Sequence, residues 1–335
     1  MDLVTGATGI VGSHLLVELT SRGPVRSIYR KGSDRSIVER VFRHYRTDAD
    51  ALLQRIEWVE ADLLEVDALN DAMVGVRHVF HTAAVVSFDP RDANTMQRTN
   101  VGGTTNVVNA ALAQGVQRLC HASSTAAIGH APAGVLRDED LLWEAEKKTS
   151  AYAIGKYEAE LEVQRGIAEG LDAVIVNPCI IIGPGISGRS SMTLVERVRK
   201  GTRFYPPGSN AVVDARDVAE CMVKLVERGG SGERYVLVGE NLSYRTLFDH
   251  LARTFGRPSP KTALQPWMLE LGWRVERLRT LLTGSKPFIT EATAHSSIAQ
   301  RGYSAAKVQT FLGHRFRTAE EAVKNVALFL GQQGH

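Results

Sequence analysis

Tyr152 and Lys156 stand four residues apart in Tyr152-Ala153-Ile154-Gly155-Lys156. On a helix this spacing puts a phenol and an ammonium on one face. A free tyrosine has a pKa of about 10, too high for ready proton exchange near neutrality. An adjacent ammonium stabilises the phenolate and lowers that value. Tyr152 is thus a candidate general acid or base. Alone, such a pair is a common feature of helix surfaces. Its setting argues for chemistry: upstream, after an apolar run, lies His121-Ala122-Ser123-Ser124-Thr125-Ala126-Ala127-Ile128-Gly129. A hydroxyl there can donate to a substrate oxygen and turn it towards Tyr152; Ser123 and Ser124 are both candidates.

A second constellation opens the chain, in Val4-Thr5-Gly6-Ala7-Thr8-Gly9-Ile10-Val11-Gly12. Gly6 permits a tight turn, Gly9 lets a pyrophosphate approach the backbone, and Gly12 lets the following helix pack closely on a sheet. A helix starting at Ile10 would turn free N–H groups and a positive dipole end towards the phosphates, with Thr8 and Val11 beside them. A merely tight turn is the competing reading, but the loop falls at the first strand–helix junction, where a dinucleotide binds. An enzyme for NAD(H) usually ends its second strand with a carboxylate for the ribose. Here Val25-Arg26-Ser27-Ile28-Tyr29 runs into Arg30 and Lys31. A guanidinium suits a 2′-phosphate. NADP(H) is therefore the expected cofactor, with NAD(H) kept open by the nearby Asp34. Thr82, Ala83 and Ala84, small residues after a fourth strand, would let the cofactor lie on the backbone.

The elements that must position these groups read as strands at Leu3–Thr5, Val25–Tyr29, Ile56–Glu60, His78–His81, Arg118–Ala122 and Ala173–Asn177. Helical patterns at Ile10–Ser21, Thr95–Gln114 and Tyr152–Glu169 alternate with them. Such alternation implies a parallel sheet covered on both faces. After Pro178 the pattern loosens. Residues 183–209 read as loops around one short helix, Val212–Arg228 as a helix and Arg234–Val238 as a strand. Tyr244–Phe255, Gln265–Leu282, Thr290–Ile298 and Ala319–Gly331 read as helices. The expected fold is α/β, a Rossmann-type doubly wound parallel sheet with a smaller, mainly helical C-terminal substrate lobe. Residues 1–182 and 211–240 would form the cofactor domain, and 183–210 with 241–335 the lobe.

Composition sets the outer limits. The 335 residues carry a net charge of +3, with 44% hydrophobic and 23% charged residues. That excludes a disordered or collagen-like chain, and no basic run marks a nucleic-acid partner. Cys120, Cys179 and Cys221 lie far apart, which argues against a disulfide framework and for a reducing compartment. Without a signal-peptide pattern or a spanning run, a cytoplasmic location is expected. His81 and His121 form the sole nearby imidazole pair, and no metal site is expected.

Together these motifs resemble the extended short-chain dehydrogenase/reductase family, of the epimerase/dehydratase kind. The resemblance runs from Met1 to about Pro184 and resumes at Val213-Asp214-Ala215-Arg216-Asp217-Val218-Ala219. It fades towards Tyr303–Gly313. It implies that Ser124, counted back from Gly129, is the catalytic serine, with Ser123 beside the cofactor. It implies that Asn100 bends its helix and anchors a proton-relaying water, completing a Ser124-Tyr152-Lys156-Asn100 tetrad. By the same resemblance Asp62 and Leu63 meet the adenine, Lys156 holds the ribose, and Asn177, Pro178 and Ile180 lie along the nicotinamide. A dimer through helices flanking the sheet is implied as possible. Val-Arg-x-x-x-Arg at the second strand is most like the dihydroflavonol 4-reductase and 3β-hydroxysteroid dehydrogenase branch.

The expected activity is hydride transfer between NADP(H) and the carbonyl or alcohol of a small, partly apolar molecule. An NAD-dependent nucleotide-sugar epimerase or dehydratase is the alternative, and a non-catalytic cofactor sensor the third reading. Val85, Phe88, Met192, Phe204 and Tyr205 would line the substrate cleft, with Arg216 either there or tying lobe to core. The amphipathic stretch 266–282 is expected to pack within the lobe, with contact to a membrane surface as the lesser reading.

Overall fold

Short runs of Val, Ile and Leu give strands here, and alternate residues of each strand feed two different cores. The computed structural model describes residues 1–132, 134–145 and 149–332. Its strands are β1 (Asp2–Thr5), β2 (Val25–Tyr29), β3 (Ile56–Glu60), β4 (His78–His81), β5 (Arg118–Ala122), β6 (Ala173–Pro178), β7 (Ile180–Ile182), β8 (Phe204–Tyr205), β9 (Ser209–Asp214), β10 (Arg234–Leu237), β11 (Glu240–Ser243) and β12 (Thr262–Ala263). The helices are α1 (Ile10–Thr20), α2 (Ser36–Tyr45), α3 (Ala49–Leu53), α4 (Val66–Met73), α5 (Ala93–Met96), α6 (Gly103–Ala113), α7 (Ala151–Ala168), α8 (Met192–Arg199), α9 (Ala215–Arg228), α10 (Tyr244–Thr254), α11 (Pro266–Thr283), α12 (Glu291–Ile298), α13 (Ala306–Leu312) and α14 (Ala319–Gly331).

Seven strands form one sheet in the order β10-β6-β5-β4-β1-β2-β3, and every pair in it is parallel. Val4, Phe80, Cys120 and Val174 face a core that includes Leu15, Phe42, Val218 and Met222. Leu3, Val79, Leu119 and Ile175 face the other, with Leu69, Met73, Val107 and Val163. Both faces of the sheet are thus covered, as a parallel sheet requires. Each fully buried Leu or Val contributes about 1.5–3 kcal/mol. The strand order reverses between β1 and β4, and that switch point opens a crevice at the carboxyl ends of the strands.

A smaller assembly follows, with a three-stranded sheet β11-β9-β7 and the pair β12-β8. Its core joins Ile182, Met192, Leu247, Phe248 and Val326. Two sequence expectations change here. The helix expected over Val212–Arg228 begins only at Ala215, because Val212 and Val213 pair with β7 and β11 as strand β9. Asp214 then caps the helix, its carboxylate accepting the Arg216 amide at 2.8 Å. The lobe is also less purely helical than expected, since β7, β8, β9, β11 and β12 knit it together.

Candidate active site

The glycine loop is closed by contact rather than by chance. Gly6 has φ +74°, and a Cβ there would lie 2.6 Å from the Ala83 nitrogen. A Cβ on Gly12 would fall on the Gly6 carbonyl oxygen, which already accepts the Gly9 amide at 2.9 Å. Thr5 ties the exits of β1 and β4 together. Its hydroxyl meets His81 Nδ1 at 2.8 Å and accepts the amides of Thr82 and Ala83, each at 3.2 Å. Thr82 returns its own hydroxyl to the Thr5 carbonyl at 2.6 Å. Helix α1 starts at Ile10 with no side-chain cap from Gly9, so its first amides remain for an anion. A cradle that excludes every side chain, at an uncapped helix end on the switch point, fits a dinucleotide's pyrophosphate. Thr8 and Val11 are half-buried beside it.

Arg30 and Lys31 lie exposed at the end of β2. Asp34 is used otherwise: its carboxylate accepts the Ser36 amide at 2.9 Å and starts α2, and this bonding holds its pKa down. Arg35, missed in the sequence reading, lays its guanidinium 4.5 Å from the Tyr29 ring centroid and 5.2 Å from that of Trp58. It adds a third cation to the Arg30–Lys31 loop. Asp62 accepts the Leu64 amide at 2.9 Å, and the Leu63 carbonyl accepts Asn106 Nδ2 at 2.9 Å. This turn at the end of β3 lies at the same edge of the sheet.

Tyr152 opens α7 next to Ser124. The Ser124 hydroxyl beside it lowers the phenol's pKa, but burial raises it more. Ser124 also accepts the Ala126 amide at 3.1 Å. Ser123 is buried deeper, its amide donating to the Val176 carbonyl at 2.9 Å. The Lys156 ammonium donates to the Ala122 carbonyl at 2.9 Å. Burial lowers Lys156 to about 8, against the pull of Glu160. The net effect on Tyr152 is a raised pKa, because its burial outweighs the influence of Ser124. His81 and His121, which face Lys156 from β4 and β5, are held neutral by burial, His81 at about 3. His81 Nε2 meets Thr104 at 3.0 Å.

Asn100 sits in a π-helical turn, Gln97–Gly102, between α5 and α6; such turns often mark functional positions. It is buried and bound to Val85 through both ends of its amide. Phe88, further along the same loop, sets its ring edge-on to Tyr152 with centroids 5.7 Å apart. The structure thus gathers Ser124, Tyr152 and Phe88. Asn177 reaches the same centre, its Nδ2 donating to the Ser124 carbonyl at 3.0 Å. Pro178 ends β6 and Ile180 starts β7.

Tyr205 lies in β8 under the Arg245 guanidinium, 5.7 Å from its ring. Arg216 binds Asp214 bidentately at 2.9 and 2.5 Å and stands 6.0 Å from the Tyr45 ring. None of these Arg216 contacts involves Ser124, Tyr152 or Phe88. Its neighbour Asp217 accepts the Arg317 amide at 2.8 Å and ties α9 to the C-terminal segment. Cys179 is buried, which pushes its thiol up and leaves it a poor nucleophile.

Glu160 is a second group that sequence reading missed. It extends the Tyr152–Lys156 face by one more turn of α7 and is buried. It accepts Asn177 Nδ2 at 2.5 Å and pairs with Arg234 of β10 at 3.5 Å. Continued i, i+4 spacing was the available signal.

The model of the NAD dependent epimerase/dehydratase family matches residues 3–238. Over 340 residues the chain is 31% identical to a Synechocystis sp. protein named as a dihydroflavonol 4-reductase, covering 99% of this chain and 95% of that one. It is 31% identical over 274 residues to sterol demethylase protein B of Methylococcus capsulatus, covering 80% and 78%. The crystal structure of a protein called gox2253 is alike with a TM-score of 0.82 at 32% identity, covering 100% of this chain and 98% of that one. A match that starts in β1, runs through the last strand of the large sheet and extends to near full length in a relative shows that the chain belongs to the NAD dependent epimerase/dehydratase family, among the extended short-chain dehydrogenases/reductases.

Proposed function

We propose that the chain is an NADP(H)-dependent oxidoreductase that interconverts a carbonyl and a secondary alcohol on a small, partly apolar substrate. The observation that carries this reading is Ser124 beside Tyr152, with the half-exposed ring of Phe88 set edge-on to that phenol. A proton donor and an apolar wall share one cleft. The relatives named for a dihydroflavonol reductase and a sterol demethylase support it.

Gly6, Thr8, Gly9, Ile10, Val11 and Gly12 would hold the pyrophosphate, Arg30 and Lys31 the 2′-phosphate, and Asp62 with Leu63 the adenine. Thr82, Ala83, Ala84, Ser123, Asn177, Pro178 and Ile180 would line the nicotinamide half, with Lys156 at its ribose. When bound, the cofactor supplies or accepts the hydride. Ser124 donates to the substrate oxygen and orients it. Tyr152 gives its phenolic proton to that oxygen as negative charge builds there, and recovers it in the reverse direction. Burial raises the phenol's pKa, so the proton stays on Tyr152 at neutrality and leaves only as negative charge develops on the substrate oxygen. Val85, Phe88 and Tyr205 exclude water from the substrate's apolar part. Arg216, committed to Asp214, ties lobe to core in this reading.

The test follows NADPH consumption with a panel of aldehydes, ketones and UDP-sugars, using wild type and Tyr152→Phe. Turnover of an apolar ketone or aldehyde is expected, lost in the variant while NADPH still binds. Interconversion of UDP-sugars with tightly held NAD and no net NADPH consumption would overturn the proposal.

A further inference from the structure

Helix α11 has a single fully buried side chain, Leu269. At about 100° per residue, Trp273, Glu276 and Thr280, all half-buried, share its side. The opposite side carries Trp267, Leu271, Val275, Leu278 and Leu282, each between 56% and 78% exposed. The sequence expectation that this stretch packs within the lobe therefore holds for one face only. The second apolar face points outward along the whole helix.

The charges around it are mostly cationic. Residues 261–288 hold Lys261, Arg274, Arg277, Arg279 and Lys286 against Glu270 and Glu276, an excess equal to the +3 of the entire chain. Lys261 precedes the helix, Lys286 follows it, and Arg274 stands among the outward leucines, paired with Glu270 at 2.6 Å. We propose that the outward face of α11 docks the protein on an anionic lipid bilayer. The helix would lie in the interface plane with its apolar stripe below the headgroups. Trp267 suits that depth, and Lys261, Arg277 and Lys286 would reach the phosphates, Arg274 and Arg279 being paired with Glu270 and Glu276. No helix among the described residues is long and apolar enough to cross a membrane, so this is surface contact.

A second copy fits less well. The 18-residue helix is about 27 Å long and about 10 Å wide, a footprint on the order of 300 Å². A stable protein interface takes about 800 Å² from each partner. Pairing along the stripe would also bring two sets of the same arginines together. The position on the molecule has a consequence of its own. Arg91 donates to the carbonyls of Gly284 and Ser285, at 3.0 and 2.9 Å, just past the end of α11. Arg91 belongs to the loop that carries Phe88 against Tyr152. Docking would therefore bring the Phe88 loop near the bilayer, though the docking itself does not depend on the reductase reading.

Co-sedimentation with vesicles tests it. Wild type is expected to pellet with phosphatidylglycerol/phosphatidylcholine vesicles, about tenfold less with phosphatidylcholine alone, and less at high salt. The double variant Leu271→Gln/Leu278→Gln should lose binding about tenfold. Arg274→Gln/Arg277→Gln should lose the preference for charged vesicles. Melting temperatures should stay within a few degrees, because these side chains face outward. Failure of wild type to bind charged vesicles overturns the proposal, as does binding that both double variants keep. A concentration-dependent dimer in light scattering that Leu271→Gln/Leu278→Gln dissociates also overturns it, in favour of a second copy.

Discussion

The side-chain amide of Asn100 holds the backbone of Val85 at both ends: its Oδ1 accepts the Val85 amide at 2.7 Å, and its Nδ2 donates to the Val85 carbonyl at 2.9 Å. The π-helical turn places that amide, and Thr104 locks the turn by donating to the Asn100 carbonyl at 2.5 Å. Val85 begins the loop that ends in Phe88 and Arg91, so Asn100 positions one wall of the cleft. Asn100→Ala leaves both Val85 groups unpaired, at about 1–3 kcal/mol each. Steady-state kinetics should show kcat/KM falling about 10–100-fold, and the melting temperature should drop. Asn100→Asp keeps the acceptor and loses the donor, so its defect should be intermediate. Wild-type kinetics in Asn100→Ala would show that the loop is held by other means.

Gly12→Ala tests the phosphate cradle. The added Cβ would meet the carbonyl oxygen of Gly6, a backbone atom held by the positive φ of Gly6 and by the Gly9 amide. No flexible side chain can move aside, so α1 must shift from the sheet, at about 1–3 kcal/mol. NADPH titration should show affinity weakened about tenfold or more. Affinity equal to wild type would mean that the close helix–sheet approach is not needed for the cofactor.

Much of this was legible in the sequence, for identifiable reasons. A parallel sheet covered on both faces makes near-continuous apolar strands, and β2, β3, β4 and β5 have the bounds that their sequences imply. The glycines were legible because each contact they make forbids a side chain. Val212 and Val213 were not, since their valines continue the apolar pattern of α9 and only pairing with β7 and β11 makes them strand. Helix α2 was legible but unread, since Ile37, Val38, Val41 and Phe42 recur at helical spacing on one buried face. The ammonium of Lys156 turning to Ala122, the Glu160–Arg234 pair and the outward stripe of α11 all depend on what lies opposite. A single chain's spacing does not encode that.

Arg30 decides the cofactor in the proposed reading. Asp34 accepts the Ser36 amide at 2.9 Å through one carboxylate oxygen, so the carboxylate that could take ribose hydroxyls is partly engaged, while Arg30 lies exposed at the strand end. A charge-assisted hydrogen bond contributes about 1.5–3 kcal/mol, or about 10–100-fold. Arg30→Glu should therefore lower kcat/KM for NADPH by at least tenfold and leave or improve that for NADH. Arg35, stacked over Tyr29 and Trp58, remains to serve in part. If NADPH preference survives in Arg30→Glu but falls in Arg35→Ala, the phosphate belongs to Arg35.

Glu160→Gln tests the charge behind the catalytic helix. Lys156 is lowered to about 8 by burial, and Glu160 works against that burial. Its other neighbours, His81 and His121, are neutral, and the cation of Arg234 lies on the far side of Glu160. Glutamine keeps the shape but removes the opposing charge, so the lysine should lose its proton at a lower pH. If the protonated ammonium supports turnover, activity falls as pH rises through the Lys156 pKa. The alkaline limb of the kcat/KM profile should then move to lower pH in the variant, and the acidic side should change little. A merely structural Glu160 would lower activity equally at every pH. Lys156→Arg, which keeps its charge at all these pH values, should abolish the alkaline limb if it retains turnover. An unmoved limb in Glu160→Gln, with folding intact, would remove Lys156 as the group that titrates there.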